Sequence, residues 1–157
     1  MGNNIFNTLS DHYISQNPLP DPSESHQRIR LPDGSIYKGE TLNNEPQGQG
    51  IRHYPDGSRY EGGFNEGKRE GIGSQLWKDG RKYEGEWRND KIEGKGKMDY
   101  PDYSYYRGEW RENKKEGEGY QEWWDGFYQG SWKNDKQNIG MNCLFGGGGD
   151  SSQCPGY

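Results

Sequence analysis

The sequence contains no alanine and no valine, and only 26% of its 157 residues are apolar. So few aliphatic side chains exclude an ordinary aliphatic core and, taken alone, favour intrinsic disorder. Two features oppose disorder: the net charge is only −5, and the aromatic residues, 14% of the chain, recur periodically. Because rings can be buried against the chain's 26 glycines, we expect a core built from aromatic side chains.

Targeting signals are also scarce. The chain has no apolar run long enough to span a bilayer. No basic residue precedes Arg28, so neither a signal peptide nor a mitochondrial presequence is expected. The two cysteines, Cys143 and Cys154, lie close to the C-terminus and do not form a disulfide framework. A cytoplasmic location is therefore expected.

Residue patterns for catalysis or metal binding are missing as well. The histidines at 12, 26 and 53 are far apart and lack the spacing of metal ligands, so we expect no metal. The glycine run at 146–149 lacks the Lys-Ser/Thr ending of a phosphate-binding loop, so we expect no cofactor. Recurrent glutamates such as Glu84 favour a solvated sheet face with cross-strand ion pairs over a paired acid catalyst. The chain is therefore predicted not to be an enzyme.

What the sequence does contain is a repeat of 22 or 23 residues with three aligned features. Each repeat begins with Tyr-x-Gly-x-aromatic, and in the first four copies Gly-x-Gly follows eleven residues after the tyrosine and another aromatic residue follows four positions after the second glycine. The tyrosines are Tyr37, Tyr60, Tyr83, Tyr106 and Tyr128, and the fifth-position aromatics are Phe64, Trp87, Trp110 and Trp132, with Thr41 in the first copy. The later aromatics are Tyr54, Trp77, Tyr100 and Trp123. Such a fixed period predicts a tandem array.

Within a repeat the pattern predicts an antiparallel hairpin. Ring and charge alternate with period two, which is typical of a half-buried strand. Polar triplets such as Asn89-Asp90-Lys91 predict the loop inside each hairpin, and Asp-Gly between hairpins predicts a tight turn with positive φ. One repeat has Asp102-Tyr103 instead, and we expect another turn type there, since tyrosine at positive φ costs about 1–2 kcal/mol. Glycines such as Gly96 are expected to form a flat bed for rings from adjacent hairpins.

The repeat divides the chain into three predicted regions. Residues 1–27 are proline-rich and outside the repeat, which favours an extended N-terminal arm. The array spans 28–140, and a flexible glycine-rich tail is predicted for 141–157. The array comprises a half-repeat 28–36, repeats 37–59, 60–82, 83–105 and 106–127, and a partial repeat 128–140. Because ordering one repeat costs more than its rings return, neighbouring repeats must stack.

The pattern resembles the MORN repeat (membrane occupation and recognition nexus). The resemblance implies an all-β fold: an elongated, single-layer antiparallel sheet of tandem β-hairpin repeats, open at both ends. It also implies a non-catalytic scaffold, since such repeats occur in axonemal radial-spoke heads, cytoskeletal collars and junctional membrane tethers. The resemblance favours a structural protein–protein interaction module in a large cytoskeletal assembly, above all the ciliary axoneme in the manner of a radial-spoke-head subunit.

Two alternatives remain open at the sequence level. The module could instead be a peripheral phospholipid-binding or membrane-junction adaptor, although the acidic balance disfavours anionic membranes and nucleic acid as partners. The aromatic stripe could be core, or, because a single layer cannot cover both faces, partly an exposed groove for a partner peptide. The candidate aromatic binding face is Tyr37, Tyr60, Phe64, Tyr83, Trp87, Tyr106, Trp110, Tyr128 and Trp132. The structural glycines are Gly48, Gly50, Gly71, Gly73, Gly94, Gly96, Gly117 and Gly119.

Overall fold

The computed structural model of the chain describes residues 27–138 and 144–147. All elements in these ranges are β-strands. They are β1 (Gln27–Arg30), β2 (Ile36–Leu42), β3 (Glu45–His53), β4 (Arg59–Asn65), β5 (Lys68–Leu76), β6 (Lys82–Arg88), β7 (Lys91–Asp99), β8 (Tyr105–Arg111), β9 (Lys114–Trp123), β10 (Gly126–Lys133), β11 (Lys136–Gln137) and β12 (Leu144–Gly147). Residues 1–26 of the predicted arm lie outside the described residues, and its last residue, Gln27, begins β1.

The strands form one antiparallel sheet in chain order from β1 to β11, and β12 also pairs with β10. The sheet does not close on itself, since β1 pairs with β2 and the last two strands pair with β10. Cross-strand register follows the repeat, with Tyr83 opposite Met98 and Gly85 opposite Gly96. The predicted all-β, open, antiparallel array of hairpins is therefore confirmed.

Two kinds of turn alternate along the sheet as far as strand β9. Inside each hairpin, a two-residue turn has positive φ at both positions, as at Asn89 (47°) and Asp90 (66°), the geometry of a primed turn. Between hairpins the turn is longer: the Tyr54 amide donates to the Ser58 carbonyl at 2.9 Å, and the Gly57 amide donates to the Tyr54 carbonyl at 3.0 Å. The tight positive-φ turn thus lies in the polar triplets, and the Asp-Gly pairs at 33–34, 56–57 and 79–80 belong to the longer turn, in which only the glycine has positive φ. Asp125-Gly126 differs, because Trp123 pairs with Gly126 and leaves a two-residue turn without positive φ.

The turn at Tyr103 corrects a second expectation. Tyr103 has φ of 66°, its amide donates to the Tyr100 carbonyl at 3.1 Å, and the Tyr100 amide donates to the Ser104 carbonyl at 2.9 Å. These are the hydrogen bonds of the other long turns, so the prediction of another turn type is wrong. The side chain is 96% exposed and avoids a steric clash, but the left-handed backbone still costs about 1–2 kcal/mol.

The core is a single column of rings on one face of the sheet. The first four tyrosines that open a repeat each contact the fifth-position ring of the following repeat edge-to-face, and from the second repeat onward each tyrosine also contacts that of its own. The eight centroid separations run from 5.0 to 5.6 Å and the interplanar angles from 80° to 88°. Edge-to-face pairs of this kind add about 0.5–1.5 kcal/mol each beyond burial. The column therefore links every repeat to the next.

The paired glycines have two different roles. A Cβ on Gly96 would lie 2.2 Å from the Tyr83 hydroxyl oxygen, so the second glycine of the pair makes room for the tyrosine of its own repeat. The expectation that the ring lying on this bed comes from an adjacent hairpin is therefore wrong, although the Trp110 indole of the next hairpin does donate to the Gly96 carbonyl at 3.3 Å. Gly94, the first of the pair, has φ of 66°, a left-handed conformation that favours glycine. The Tyr83 hydroxyl completes the arrangement by donating to the Glu86 carbonyl at 3.1 Å.

The C-terminal end of the sheet departs from the predicted boundary. Strand β10 pairs with β11 near Trp132 and with β12 from Gly126 to Gln129. Residues 144–147, inside the predicted flexible tail, therefore form a strand. This last hairpin lacks Gly-x-Gly, with Ile139 and Met141 at those positions, and its second strand is divided between β11 and β12. The rest of the predicted tail lies outside the described residues.

Candidate interaction surface

The nine rings of the candidate aromatic binding face are the core column itself. The structure leaves each of them 5% exposed or less. Their burial favours the core interpretation of the stripe over the open groove at these positions. The eight structural glycines lie on the second strands of the first four hairpins, β3, β5, β7 and β9.

A second set of rings remains accessible. Tyr54, Trp77, Tyr100 and Trp123 are half-buried, pack against the core column, and each immediately precedes or begins an inter-hairpin turn. We call these four residues the turn-side row. The sequence marks them as part of the repeat, but sequence reasoning did not select them as surface. Their signal is their place at the end of a strand, directly before a turn.

Carboxylates accompany the turn-side row. Asp33, Asp56 and Asp102 each accept hydrogen bonds at one carboxylate oxygen from the amide and hydroxyl of the serine two residues later, at 2.6–3.0 Å. These bonds lower the carboxyl pKa in all three, to about 2 for Asp33. The pKa of Asp79 is lowered too, first of all by the Arg81 amide. The turn margin of the sheet is therefore lined with ionised carboxylates at neutral pH.

Arginines bridge rings and carboxylates in the N-terminal half. The Arg52 guanidinium lies 5.0 Å from the Tyr54 ring centroid and pairs with Asp33 at 2.7 Å. The Arg81 guanidinium lies 5.1 Å from the Trp77 centroid and pairs with Asp79 at 2.8 Å. Guanidinium groups combine stacking on a ring with directed hydrogen bonds to a carboxylate, which lysine does not do equally well.

Two further cations lie deeper, against the core column. Arg69 is 4.1 Å from the Trp87 centroid and 3.0 Å from Asp90. Its counterpart Lys115 lies 4.8 Å from the centroids of both Tyr106 and Trp132. Lys115 also approaches Tyr100 at 5.3 Å and donates to the Gln121 side chain. Burial lowers the pKa of the Lys115 ammonium to about 8.

The opposite face of the sheet carries many exposed charges, together with exposed Ile72 and Leu76 and the contacting rings of Tyr105, Tyr120 and Phe127. Its charges form ion pairs along the strands, such as Lys97 with Asp99 at 2.6 Å, and pairs at such exposed sites contribute little stability. Within the described residues no cluster of three or more His, Cys, Asp or Glu side chains is suited to hold a metal. His53 is exposed on β3. His12, His26, Cys143 and Cys154 lie outside the described residues.

A membrane-crossing helix, which needs a long apolar stretch, is absent from the part of the chain that the structure describes.

The repeat frame and the fold agree with a comparison against protein families. The family model described as MORN repeat matches residues 37–59, 60–80, 83–105, 106–126 and 128–138. Each matched segment begins at the tyrosine that opens a hairpin in the core column. A search of curated proteins finds no match to the chain. Five matched hairpins joined by one column of rings establish that the chain belongs to the MORN repeat family, whose arrays serve as interaction modules for proteins or lipids.

Proposed function

We propose that the chain is a non-catalytic structural scaffold that binds other proteins within a large cytoskeletal assembly. The observation that carries the proposal is the turn-side row: four half-buried rings, one per repeat, beside ionised carboxylates on one margin of the sheet. Aromatic residues and arginine are enriched at protein interfaces and carry much of their binding energy. This margin offers both.

The spacing of the row suits an extended partner segment. Neighbouring strands lie about 4.8 Å apart, so residues at the same position of consecutive hairpins recur about every 10 Å. Three residues of extended or polyproline II backbone cover about 9–10 Å. A segment lying across the strands can therefore present one side chain to each repeat.

The assembly that we favour is the ciliary axoneme, with the chain placed as a subunit of the radial-spoke-head type. This part of the proposal rests on the family resemblance, which is an analogy at the level of the fold. The location that we propose is the cytoplasm, on the axonemal cytoskeleton, among the subunits of a multiprotein complex.

Affinity purification of the tagged protein from its native cells, without detergent, tests the proposal. The wild type should recover a stable set of axonemal or other cytoskeletal proteins. Trp77→Ala, in the turn-side row, should lose that set by at least fivefold. Ile72→Ala is the matched control, because Ile72 is 69% exposed on the same hairpin and does not contribute to the core column.

Circular dichroism establishes that both variants are folded before the comparison is made. Recovery of the protein alone would contradict the proposal. Recovery with membrane proteins only, together with sedimentation on anionic vesicles that falls steeply with salt, would support the phospholipid-binding alternative instead.

A further inference from the structure

The first two inter-hairpin turns, residues 31–35 and 54–58, hold one arginine between them. Arg52 donates from Nη2 to Asp33 at 2.7 Å and from Nε to the Ser35 hydroxyl at 2.9 Å. Its guanidinium lies over the Tyr54 ring. An aspartate and a serine from one turn and a ring from the next thus define a binding position for a guanidinium group.

The same position recurs 69 residues later without its arginine. Asp102, Ser104 and Trp123 correspond to Asp33, Ser35 and Tyr54 three repeats further on, and Gln121 stands where Arg52 stands. A cleft of about 630 Å³ lies there, and all four of these residues line it. This cleft is open, whereas the Arg52 side chain occupies the corresponding position near the N-terminus.

Between these two positions, one turn-side ring is covered by another arginine of the chain, although Asp56, like Asp102, forms no ion pair among the described residues and accepts from its own serine. Arg81 covers the ring of Trp77 and pairs with Asp79. Among the described residues, Asp102 forms no ion pair, and the hydrogen bonds that its carboxylate accepts come from Ser104 at Oδ1. The other carboxylate oxygen faces no cationic partner within that part of the chain.

Two exposed rings stand on the turns that flank this cleft. Tyr103 is 96% exposed and Trp124 is 92% exposed. Tyr103 takes a left-handed backbone where the three preceding long turns have Gly34, Gly57 and Gly80. A strained tyrosine whose ring lies in solvent adds no packing to the fold, and such local conflicts concentrate at functional positions.

Charge in the cleft is divided. Lys115 and Lys136 line it together with Asp102 and Asp135. The Lys115 ammonium faces the rings of Tyr106 and Trp132 and the side chain of Gln121. A lysine or arginine against the core column does not prevent an arginine from binding near the turns. Arg69, against the core column, and Arg81, at a turn, lie in the same part of the sheet, and each pairs with its own carboxylate, Asp90 and Asp79.

We infer that the cleft between the turns at residues 100–104 and 124–125 binds an arginine side chain from an extended segment of a partner protein. The guanidinium group donates to Asp102 and Ser104 and lies over the Trp123 ring, as Arg52 does in the first repeat. Residues on either side of that arginine contact Tyr103 and Trp124. The inference rests on the proposed protein-binding function and names the chemistry that the partner supplies.

A titration followed by NMR tests the site with small probes. N-acetyl-L-arginine amide should shift the indole N–H resonance of Trp123, assigned with Trp123→Phe, in a saturable manner. N-acetyl-L-citrulline amide has the same shape without the charge and should bind at least fivefold more weakly. N-acetyl-L-lysine amide should also bind more weakly, because an ammonium lacks the planar fork of donors.

Variants of the chain locate the response. Asp102→Asn should weaken binding at least fivefold, whereas the control Asp56→Asn, in a turn with the same serine bonds, should leave it unchanged. Gln121→Arg should fill the cleft as Arg52 fills its own and abolish the shift. Arg52→Gln should create a second site, reported by the backbone amide of Tyr54.

Equal affinity for the citrulline and arginine probes would overturn the inference, and so would an unchanged response in Asp102→Asn. A shift of the Trp123 resonance by inorganic phosphate and by none of the other probes would also overturn the inference, because it would indicate that the cleft binds an anion at Lys115. If the arginine probe binds as expected but purification recovers no partner protein, the proposed function is contradicted and the arginine site is supported. If purification is unaffected by Asp102→Asn and the arginine probe gives no shift, the site fails and the function stands.

Discussion

At the scale of the residue, the tyrosine that opens each of the four complete repeats is fixed by a glycine beneath its ring and a carbonyl at its tip. For Tyr83 these are Gly96, where an added Cβ would lie 2.2 Å from the hydroxyl oxygen, and the Glu86 carbonyl at 3.1 Å. The ring, the absent side chain and the strand register therefore depend on one another. A change at the glycine cannot be absorbed by the flexible end of a side chain, since the contacted atoms belong to a buried aromatic ring.

We expect Gly96→Val to lower the free energy of unfolding by at least about 1–3 kcal/mol, because overpacking displaces Tyr83 from the column. Lys97→Val changes the neighbouring residue, which points to the opposite face, and should cost less than about 0.5 kcal/mol. Urea denaturation followed by tryptophan fluorescence measures both. Equal destabilisation by the two substitutions would show that the glycine does not serve the ring.

A substitution at Tyr103 is expected to stabilise the fold. Tyr103→Gly should raise the free energy of unfolding by about 1 kcal/mol, because glycine accepts the left-handed backbone and the exposed ring makes few contacts to lose. Tyr105→Gly, two residues later in strand β8, should lower it, since the ring of Tyr105 packs on that of Tyr120 at 5.9 Å. Thermal unfolding of the two variants distinguishes them. A lower midpoint for Tyr103→Gly than for the wild type contradicts the strain argument.

At the scale of the element, hairpins are joined by bonds between the tip of one and the strand of the previous one. The Asp90 amide donates to the Arg69 carbonyl at 3.1 Å, and the Arg69 amide donates back to the Asp90 carboxylate at 2.9 Å. Asn113 forms the same reciprocal pair with Ile92, at 3.0 and 2.9 Å. The primed turns therefore close the hairpins and also hold neighbouring repeats in register.

Asp90→Ala should cost about 1.5–3 kcal/mol, since it removes a carboxylate that accepts from both the amide and the guanidinium of Arg69. Asp99→Ala removes a carboxylate from an exposed ion pair with Lys97 and should cost less than about 1 kcal/mol. Chemical denaturation of both proteins under the same conditions provides the comparison. A cost for Asp90→Ala no larger than that for Asp99→Ala would contradict the role of this bond at the junction.

The strands and their register follow from the sequence because ring and charge alternate with period two and the period of the repeat is fixed. The turn geometry does not follow, since Asp-Gly suits two turn lengths and the choice is set by the pairing of the flanking strands. Arg88 pairs with Lys91, which leaves two residues for the turn, whereas Leu76 pairs with Lys82 and leaves five. The accessibility of Trp77 relative to Trp87 likewise depends on place in the sheet, since Trp87 lies within the core column and Trp77 lies at the end of a strand beside a turn.

At the scale of the whole molecule, the column makes stability depend on the protonation of buried tyrosines. Burial raises the pKa of the Tyr37 hydroxyl from its ordinary value of 10 to about 12, and it raises the pKa of Tyr60, Tyr83 and Tyr106 as well. Above pH 10 the folded chain binds more protons than the unfolded chain, so its stability falls as pH rises. Below pH 10 this contribution is fully present.

We therefore expect cooperative unfolding in the range from pH 10 to 12, in which tyrosine ionisation and loss of the sheet coincide. Absorbance of tyrosinate and far-ultraviolet circular dichroism, recorded on the same samples, follow the two events. Ionisation of all the tyrosines near pH 10 with the sheet intact would contradict the burial of the column.

The central claim is that this array binds partner proteins along its turn margin, and site-specific photocrosslinking in the native cells tests it most directly. The crosslinking residue p-benzoylphenylalanine replaces Lys78, exposed on the turn that follows Trp77, or Glu84, exposed on the opposite face of the same region. We predict that Lys78→p-benzoylphenylalanine captures cytoskeletal proteins and that Glu84→p-benzoylphenylalanine captures at least fivefold less of them. Capture from position 84 alone, or equal capture from both positions, would contradict the account.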